Sequence, residues 1–327
     1  MRLRSLAGIA ATLLAWCAVD CGAQPAWKPD KNVEIVLGFP AGSAMDLSAR
    51  VIQKIFQSRR LIDVTSTVIN KTGGGGTVAM VYAGQHSGDP HYLSIISSTL
   101  LTTHITGGTS YNYTDLTPIA LLLDEYTAFS VRADSPIANG AAMVDRLKKD
   151  PRALSISIGS ALGNSNHIAL GAVLRGAGVD IRKLKVVAFN ASAEGMVALL
   201  GGHIDLVVTS LGVVVPQAQA GKLRILAVTA PQRLSGPVAQ VPTWKEQGVN
   251  VVSGLWRAAL GSKGINAQQV AFWEEVFARL DKTDEWREEA RLHLWEPRYL
   301  NSRDTRKFLD ADYAELRAVL AELGLAK

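Results

Sequence analysis

Short apolar, β-branched runs alternate along this chain with segments whose apolar residues are spaced three and four apart. The first run covers 33–37, and a helical pattern over 47–56 follows it. Further runs lie at 64–69, 92–96, 154–158, 185–189, 204–208 and 223–229, with helical patterns at 78–83, 167–174, 193–200 and 213–220. Such alternation across short loops predicts an α/β fold, with a mostly parallel sheet and helices on both faces.

Two longer β-rich passages, at 119–131 and 251–260, interrupt this alternation. The second precedes a helical tail with patterns at 268–279 and 305–323, which we expect to pack on the N-terminal domain. Two such passages let the chain cross into a second domain and return, and a two-crossing hinge suits a cleft that opens and closes. The predicted division is a first lobe at 24–127, a second lobe at 128–252 and a return into the first lobe at 253–327.

The N-terminus has the features of an export signal. Arg2 and Arg4 precede an apolar stretch, 6–19, that is too short to span a membrane as an ordinary helix. Small residues before position 24 predict a cleavable signal peptide over 1–23. Both cysteines, Cys17 and Cys21, lie inside it, so the mature chain has no thiol for a disulfide, a nucleophile or a metal site.

Charge and composition exclude several kinds of function. The formal net charge is +5, but the basic residues are scattered and are not interleaved with aromatic ones, which argues against nucleic-acid binding and mildly favours anionic small molecules. The six histidines lack metal-ligand spacing. The glycine run 73–76 lacks the Gly-Lys-Ser/Thr ending of a phosphate loop. We therefore expect neither a metal nor a cofactor.

The segment 33–46 ends its apolar run at a Pro/Gly corner, and a helical pattern begins directly after it. A strand, tight loop and helix in this order direct unpaired N–H groups and the positive end of a helix dipole at one point, which attracts anions. Ser43 is the predicted N-cap, and Asp46 completes a capping box on the N–H of Ser43. Either these residues only cap the helix, or the N–H groups of 42–45 also bind a ligand carboxylate.

A second corner of the same kind lies at 157–167, with Asn164, Ser165 or Asn166 as the N-cap. Two such corners, one in each lobe, would form a clamp on a small anion across the cleft. His167 either makes a local hydrogen bond at the helix start or forms part of the pocket wall.

The weaker alternative to a receptor is a serine hydrolase, because 163–166 is similar to a nucleophile elbow around Ser165. Its acid and base could only be Asp205 and His203, which are too close together to be separately placed.

Several motifs occur in the order in which one protein family has them. Residues 39–46 are similar to F-P-P-G-G-x-x-D, 70–76 to E-N-x-x-G-A-G-G, 159–167 to A-G-x-G-S-x-x-H, 199–205 to L-L-x-G-x-V-D, and 220–229 to A-G-K-L-R-A-L-A-V-T. Through them the chain resembles, over nearly all of its mature length, the periplasmic substrate-binding receptors of tripartite tricarboxylate transporters, often called Bug receptors.

The resemblance implies a periplasmic, non-enzymatic receptor of the type II binding-protein fold, with two α/β lobes, a two-strand hinge and a ligand cleft between them. Its two helix-start loops would hold a small organic acid by its carboxylate, and a separate membrane permease would receive that acid. We expect a monomer. The alternative partner is a membrane signalling protein, for which this chain would be the ligand-sensing receptor. The expected ligand-binding residues are Phe39, Gly42, Ser43, Ala44, Met45, Asp46, Ser98, Thr99, Ser160, Asn164, Ser165, Asn166, His167, Asn190 and Ser210.

The departures from the family pattern lie in the pocket. Ala41 and Ser43 stand for a proline and a glycine in the first loop, and Ala161 and Asn164 stand for Gly and Ser in the second. Residues 190–192 replace the usual Lys-Gly-Gly, which removes a positive charge near the mouth. A typical dicarboxylate is therefore not assumed: the ligand could be a smaller, less charged or aromatic acid, or the receptor could have lost its transport function.

Overall fold

The alternating pattern of the sequence forms two separate sheets. The structure is a computed structural model that describes residues 27–158, 162–189 and 192–327. The predicted signal peptide, Ser160 and Asn190 lie outside the described residues. The strands are β1 (Val33–Leu37), β2 (Ser66–Asn70), β3 (Tyr92–Ile96), β4 (Thr117–Asp124), β5 (Thr127–Arg132), β6 (Ser155–Ser157), β7 (Lys185–Val187), β8 (Leu206–Ser210), β9 (Leu223–Val228), β10 (Arg257–Gly261) and β11 (Glu296–Leu300).

Helices cover both sheets and connect most of the strands. They are α1 (Ala44–Ser58), α2 (Thr77–Gly84), α3 (Ser98–Ile105), α4 (Gly140–Lys149), α5 (Ser165–Gly176), α6 (Ser192–Leu200), α7 (Leu211–Gln219), α8 (Ala267–Asp281), α9 (Asp284–His293) and α10 (Ser302–Glu322). Among the described residues, no helix is both long enough and apolar enough to cross a membrane.

The first sheet has the strand order β11-β4-β10-β3-β1-β2, and the second has the order β7-β6-β8-β5-β9. Within each sheet the strands joined by helices run parallel, as expected: β1 with β2 and β3, and β6 with β7 and β8. The expectation of a mostly parallel sheet does not hold for the crossing strands. β5 and β10 run antiparallel to both of their neighbours, because each begins as the chain arrives from the other sheet. β11 follows β10 through two helices and also pairs antiparallel with β4.

The long β-rich passage at 119–131 is two strands, and the chain changes sheet between them. β4 ends at Asp124 in the first sheet, and β5 begins at Thr127 in the second. The chain returns through the second passage and enters β10 at Arg257. The architecture is thus two α/β lobes, as predicted. The residue boundaries at 127/128 and 252/253 stay a prediction.

The two segments that cross between the lobes pair with each other and form a two-strand hinge. Glu125 and Leu255 exchange backbone hydrogen bonds, and Tyr126 forms a β-bridge with Gly254. The hydroxyl of Thr229 accepts from the N–H of Thr127 at 3.0 Å and donates to the carbonyl of Ser253 at 2.6 Å. Both crossings are therefore held together by polar contacts in a buried position.

Each sheet has its own apolar core. Trp273, Phe277 and Trp286 of the tail are fully buried against the first sheet, and Phe129 packs edge-on against Trp244 in the second. The tail thus packs on the N-terminal lobe, as expected. Helix α10 lies against β4 and α3, and it also contacts α5 of the second lobe through Ile168.

Candidate functional site

Four helices begin at the carboxyl ends of four strands and meet around one cavity. They are α1 after β1 and α3 after β3 in the first lobe, and α5 after β6 and α7 after β8 in the second. The cavity measures about 190 Å³. Ligands of open α/β sheets bind at this end of the strands. The cavity is lined by Phe39, Ser43, Ala44, Met45, Ser97, Thr99, Asn164, Ser165, Asn166, Ser210, Leu255 and Arg257.

Helix α1 begins with the predicted N-cap. Ser43 has extended backbone angles, and its hydroxyl accepts from the N–H of Asp46 at 3.2 Å. The predicted capping box is wrong in one contact, since the carboxylate of Asp46 accepts from the N–H of Gly42 at 2.9 Å instead. The N–H of Ser43 already donates to the carbonyl of Pro40. Ala44 and Met45, the first two helical residues, thus have N–H groups without an intrahelical partner.

Asp46 is buried beneath this loop and holds it in shape. Besides Gly42, its carboxylate accepts from the side chain of Arg50 and from the amide of Asn70, both at 2.9 Å. Asn70 also donates to the carbonyl of Phe39, so the loop is tied to β2 at two points. Burial opposes ionisation of Asp46, but the bonds from Arg50, Gly42 and Asn70 outweigh it and lower the pKa to about 2. Asp46 stabilises the loop through these hydrogen bonds and does not line the cavity.

Helix α5 begins in the same way in the second lobe. The side-chain oxygen of Asn164 accepts from the N–H of His167 at 2.9 Å, so Asn164 is the N-cap among the three candidates. Its amide donates to the carbonyl of Ile158 at 3.0 Å, which ties the helix start to the end of β6. Ser165 and Asn166, the first two helical residues, line the cavity, and their N–H groups have no intrahelical partner.

His167 makes a local hydrogen bond at the start of the helix, which is one of the two roles predicted for it. Its Nδ1 accepts from the N–H of Gly163 at 2.9 Å. The ring is buried, which lowers the pKa to about 4 and keeps it neutral at neutral pH. His167 is not among the residues that line the cavity. It shapes the turn before α5.

The starts of α3 and α7 lie at the same cavity as the two predicted helix starts, those of α1 and α5. The hydroxyl of Ser97 caps α3 by accepting from the N–H of Thr99, and Ser210 precedes α7 with no side-chain cap bond. The hydroxyls of Ser98 and Ser165 are 2.9 Å apart, so α3 and α5 are hydrogen-bonded across the two lobes. Ser165 is thus paired with another serine, while Asp205 is bonded to Ser155.

Most of the predicted ligand-binding residues lie around this cavity. Those that line it are Phe39, Ser43, Ala44, Met45, Thr99, Asn164, Ser165, Asn166 and Ser210. Gly42 lies in the loop before α1, Asp46 lies in the first turn of α1 and bonds Gly42, and Ser98 lines a neighbouring cavity. The described residues do not include Ser160 and Asn190.

Arg257, Leu255 and Ser97 line the cavity and are absent from the sequence-based list. Arg257 was detectable, because it is a charged residue inside the apolar passage 251–260. It is buried and forms an ion pair at 3.1 Å with Glu125, which is also buried. No local pattern connects these two residues, which are 132 positions apart.

A larger cavity of about 420 Å³ adjoins the first and shares Ser165 and Leu255 with it. Trp256 lies in its wall and donates from its indole to the carboxylate of Asp312 at 2.9 Å. Burial raises the pKa of Asp312 to about 6, against the opposing effect of that hydrogen bond. No cluster of three or more His, Cys, Asp or Glu side chains suited to a metal ion occurs in the described part of the chain.

The sequence model of the tripartite tricarboxylate transporter family receptor (TctC) matches residues 49–325. The chain belongs to this receptor family. The resemblance drawn from the motifs is confirmed, and the serine hydrolase alternative is set aside because the family consists of solute receptors rather than enzymes.

Individual relatives are distant but cover most of the chain. A protein from the gbd 5′ region of Cupriavidus necator is 26% identical over 324 residues, which cover 98% of this chain and 97% of that protein. BugT of Bordetella pertussis is 23% identical over 271 residues, covering 81% of this chain and 80% of BugT. A solved R. palustris structure with adipate is 24% identical, has a TM-score of 0.78 and covers 91% of this chain and 99% of its own. This last likeness supports the fold.

Proposed function

We propose that this protein is a periplasmic receptor that captures a small organic acid by its carboxylate and delivers it to the membrane permease of a tripartite tricarboxylate transporter. The observation that carries the proposal is the meeting of four helix N-termini, two from each lobe, around one cavity. The R. palustris neighbour was solved with a dicarboxylate, adipate, which is the same chemical class of ligand.

The helix starts provide the chemistry for carboxylate capture. The N–H groups of Ala44 and Met45 on one side, and of Ser165 and Asn166 on the other, are donors that the helices themselves leave unused. Each helix N-terminus also carries roughly half a positive charge. A carboxylate between them receives hydrogen bonds from both lobes. Ser160 and Asn190 belong to the same proposed ligand-binding set, on the sequence argument alone.

Ligand capture is coupled to closure of the cleft. The lobes are joined through the hinge at Glu125 and Leu255, and the Ser98–Ser165 hydrogen bond links them beside the cavity. A ligand that bonds both lobes binds the closed form more tightly and shifts the population toward it. We also propose that residues 1–23 are a cleavable signal peptide and that the lobes divide at 127/128 and 252/253. The receptor is proposed to be a monomer.

The Ala44→Pro variant tests the role of one helix start. Proline is well tolerated at the first position of a helix, and Ser43 before it already has the extended backbone that proline requires. The substitution therefore deletes the Ala44 N–H and leaves the helix in place. Loss of a hydrogen bond to a charged group is expected to weaken acid binding by about tenfold to a hundredfold, measured by titration calorimetry.

The matched control is Ala267→Pro, at the first position of α8. Ala267 follows Asn266, an N-cap of the same extended conformation, and does not line the cavity. This variant is expected to bind with the affinity of the wild type. The assay uses a panel of mono- and dicarboxylic acids from acetate to adipate. Equal affinities of the Ala44→Pro and Ala267→Pro variants would contradict carboxylate capture at the helix starts, and so would a wild type that binds no acid.

A further inference from the structure

Arg257 is the one charged side chain among the described residues that line the cavity. It is the first residue of β10, directly after the returning hinge segment, and it is 7% exposed. The cavity therefore has helix N-termini around it and a guanidinium group at the hinge.

The guanidinium of Arg257 is held in place by both hinge segments. Its Nη1 donates to the carbonyls of Leu255 at 3.1 Å and Trp256 at 3.2 Å, and its Nη2 donates to the carboxylate of Glu125 at 3.1 Å. Its Nε is buried and has no hydrogen-bond partner among the described residues. Of the five N–H donors of an arginine, three are thus in use, and because Nε is closed to solvent, the second hydrogen of Nη2 is the donor that remains for a ligand.

Stability alone is a poor explanation for this pair. Burying a charged pair costs desolvation energy, and well-packed apolar residues in its place are often neutral or stabilising. Arginine stays charged even when buried, and its planar fork suits a carboxylate. An oriented, partly unsatisfied arginine in the wall of an acid-binding cavity is therefore placed to contact the ligand.

We propose that Arg257 determines the specificity of the site by bonding the second carboxylate of a dicarboxylic acid, whose first carboxylate lies at the helix N-termini. This inference rests on the proposed function. Glu125 orients Arg257 through Nη2, and its negative charge weakens the attraction that the pair exerts on the ligand. The two residues are thus expected to change ligand preference in opposite directions when each is neutralised.

The test compares straight-chain dicarboxylates, from malonate to adipate, with their monoamides, which have similar shape but one charge fewer. The readout is the ratio of the two dissociation constants at the chain length that binds most tightly. We expect the wild type to prefer the diacid by about tenfold, as a charge-assisted hydrogen bond requires. In Arg257→Gln, which keeps the negative charge of Glu125, the ratio should fall to about 1 or below, and in Glu125→Gln it should exceed the wild-type ratio.

Arg257→Gln alone leaves Glu125 buried without its counter-charge, which can prevent folding. The double variant Glu125→Gln/Arg257→Gln removes both charges together and is expected to show a ratio of about 1 as well. A wild-type ratio of about 1 would overturn the inference, as would a double variant with the wild-type ratio. In both cases binding of acids by the wild type would leave the proposed function standing. A wild type that binds no acid would contradict both.

Discussion

Asp46 holds the first helix-start loop in shape, so Asp46→Asn is expected to lower the free energy of unfolding by about 2 kcal/mol at pH 7. The carboxylate accepts from Gly42 and Arg50 on one oxygen and from Asn70 on the other. An asparagine in either orientation places an NH₂ group against one of these donors. The substitution therefore leaves a buried donor unsatisfied, which costs about 1–3 kcal/mol.

The lowered pKa of Asp46 independently gives a stabilisation of the folded state of similar size. It is lowered from 3.8 to about 2, and one pKa unit corresponds to about 1.4 kcal/mol. Because the pKa is lower in the folded state than in the unfolded state, this stabilisation is complete above pH 4 and is lost as the pH falls through about 2. The difference between wild type and variant should therefore shrink to about half at pH 3.

The assay is urea unfolding at pH 7 and pH 3, with Asp304→Asn as the matched control. Asp304 occupies the same third helical position in α10, after the N-cap Asn301, but its side chain is 41% exposed. That variant should differ from the wild type by less than about 0.5 kcal/mol. An Asp46→Asn variant as stable as the wild type at pH 7, or one with an equal deficit at both pH values, would refute the reasoning.

The remaining predictions concern the hinge, a turn and a close backbone approach. Thr229→Val leaves the N–H of Thr127 and the carbonyl of Ser253 unpaired in a buried hinge, so it should destabilise by about 1–3 kcal/mol in urea unfolding, whereas no loss would contradict the hinge contacts. The pKa of His167 is about 4 because the ring is buried, so its NMR signals should not titrate between pH 5.5 and 8, and a midpoint near 6.5 would be inconsistent with burial. Gly38→Ala places a Cβ 2.6 Å from the Cα of Gly76 and should destabilise by about 1–3 kcal/mol. Its control, Gly171→Ala, meets nothing closer than 3.5 Å inside α5 and should be neutral or stabilising, so equal thermal shifts for both would count against the packing.

The helix starts could be predicted because their signals are local. A β-branched run, a glycine corner and a capping residue lie within a dozen positions, and the apolar run at 92–96 predicts a strand with the observed ends. The misplaced capping-box contact shows the limit of this reasoning. A turn between Pro40 and Ser43 occupies the N–H that Asp46 was expected to bond, and the choice between these two contacts depends on loop geometry.

Elements without a clear apolar period were missed. Helix α9 is mostly charged and buries Trp286 and Ala290, while β11 is an edge strand that contains Pro297 and Arg298. The direction of the crossing strands also follows from the whole topology. The Glu125–Arg257 pair lay beyond sequence reasoning, because it joins two hinge segments that meet only in the folded chain.

The central claim is that one carboxylate bonds backbone N–H groups of both lobes. The most direct measurement is the amide NMR spectrum of the ¹⁵N-labelled mature protein, with and without the tightest-binding acid of the panel. The account predicts shifts and slowed hydrogen exchange at Ala44 and Met45 of the first lobe together with Ser165 and Asn166 of the second. Changes confined to one lobe, or an unchanged set of these four amides under saturating acid, would contradict it.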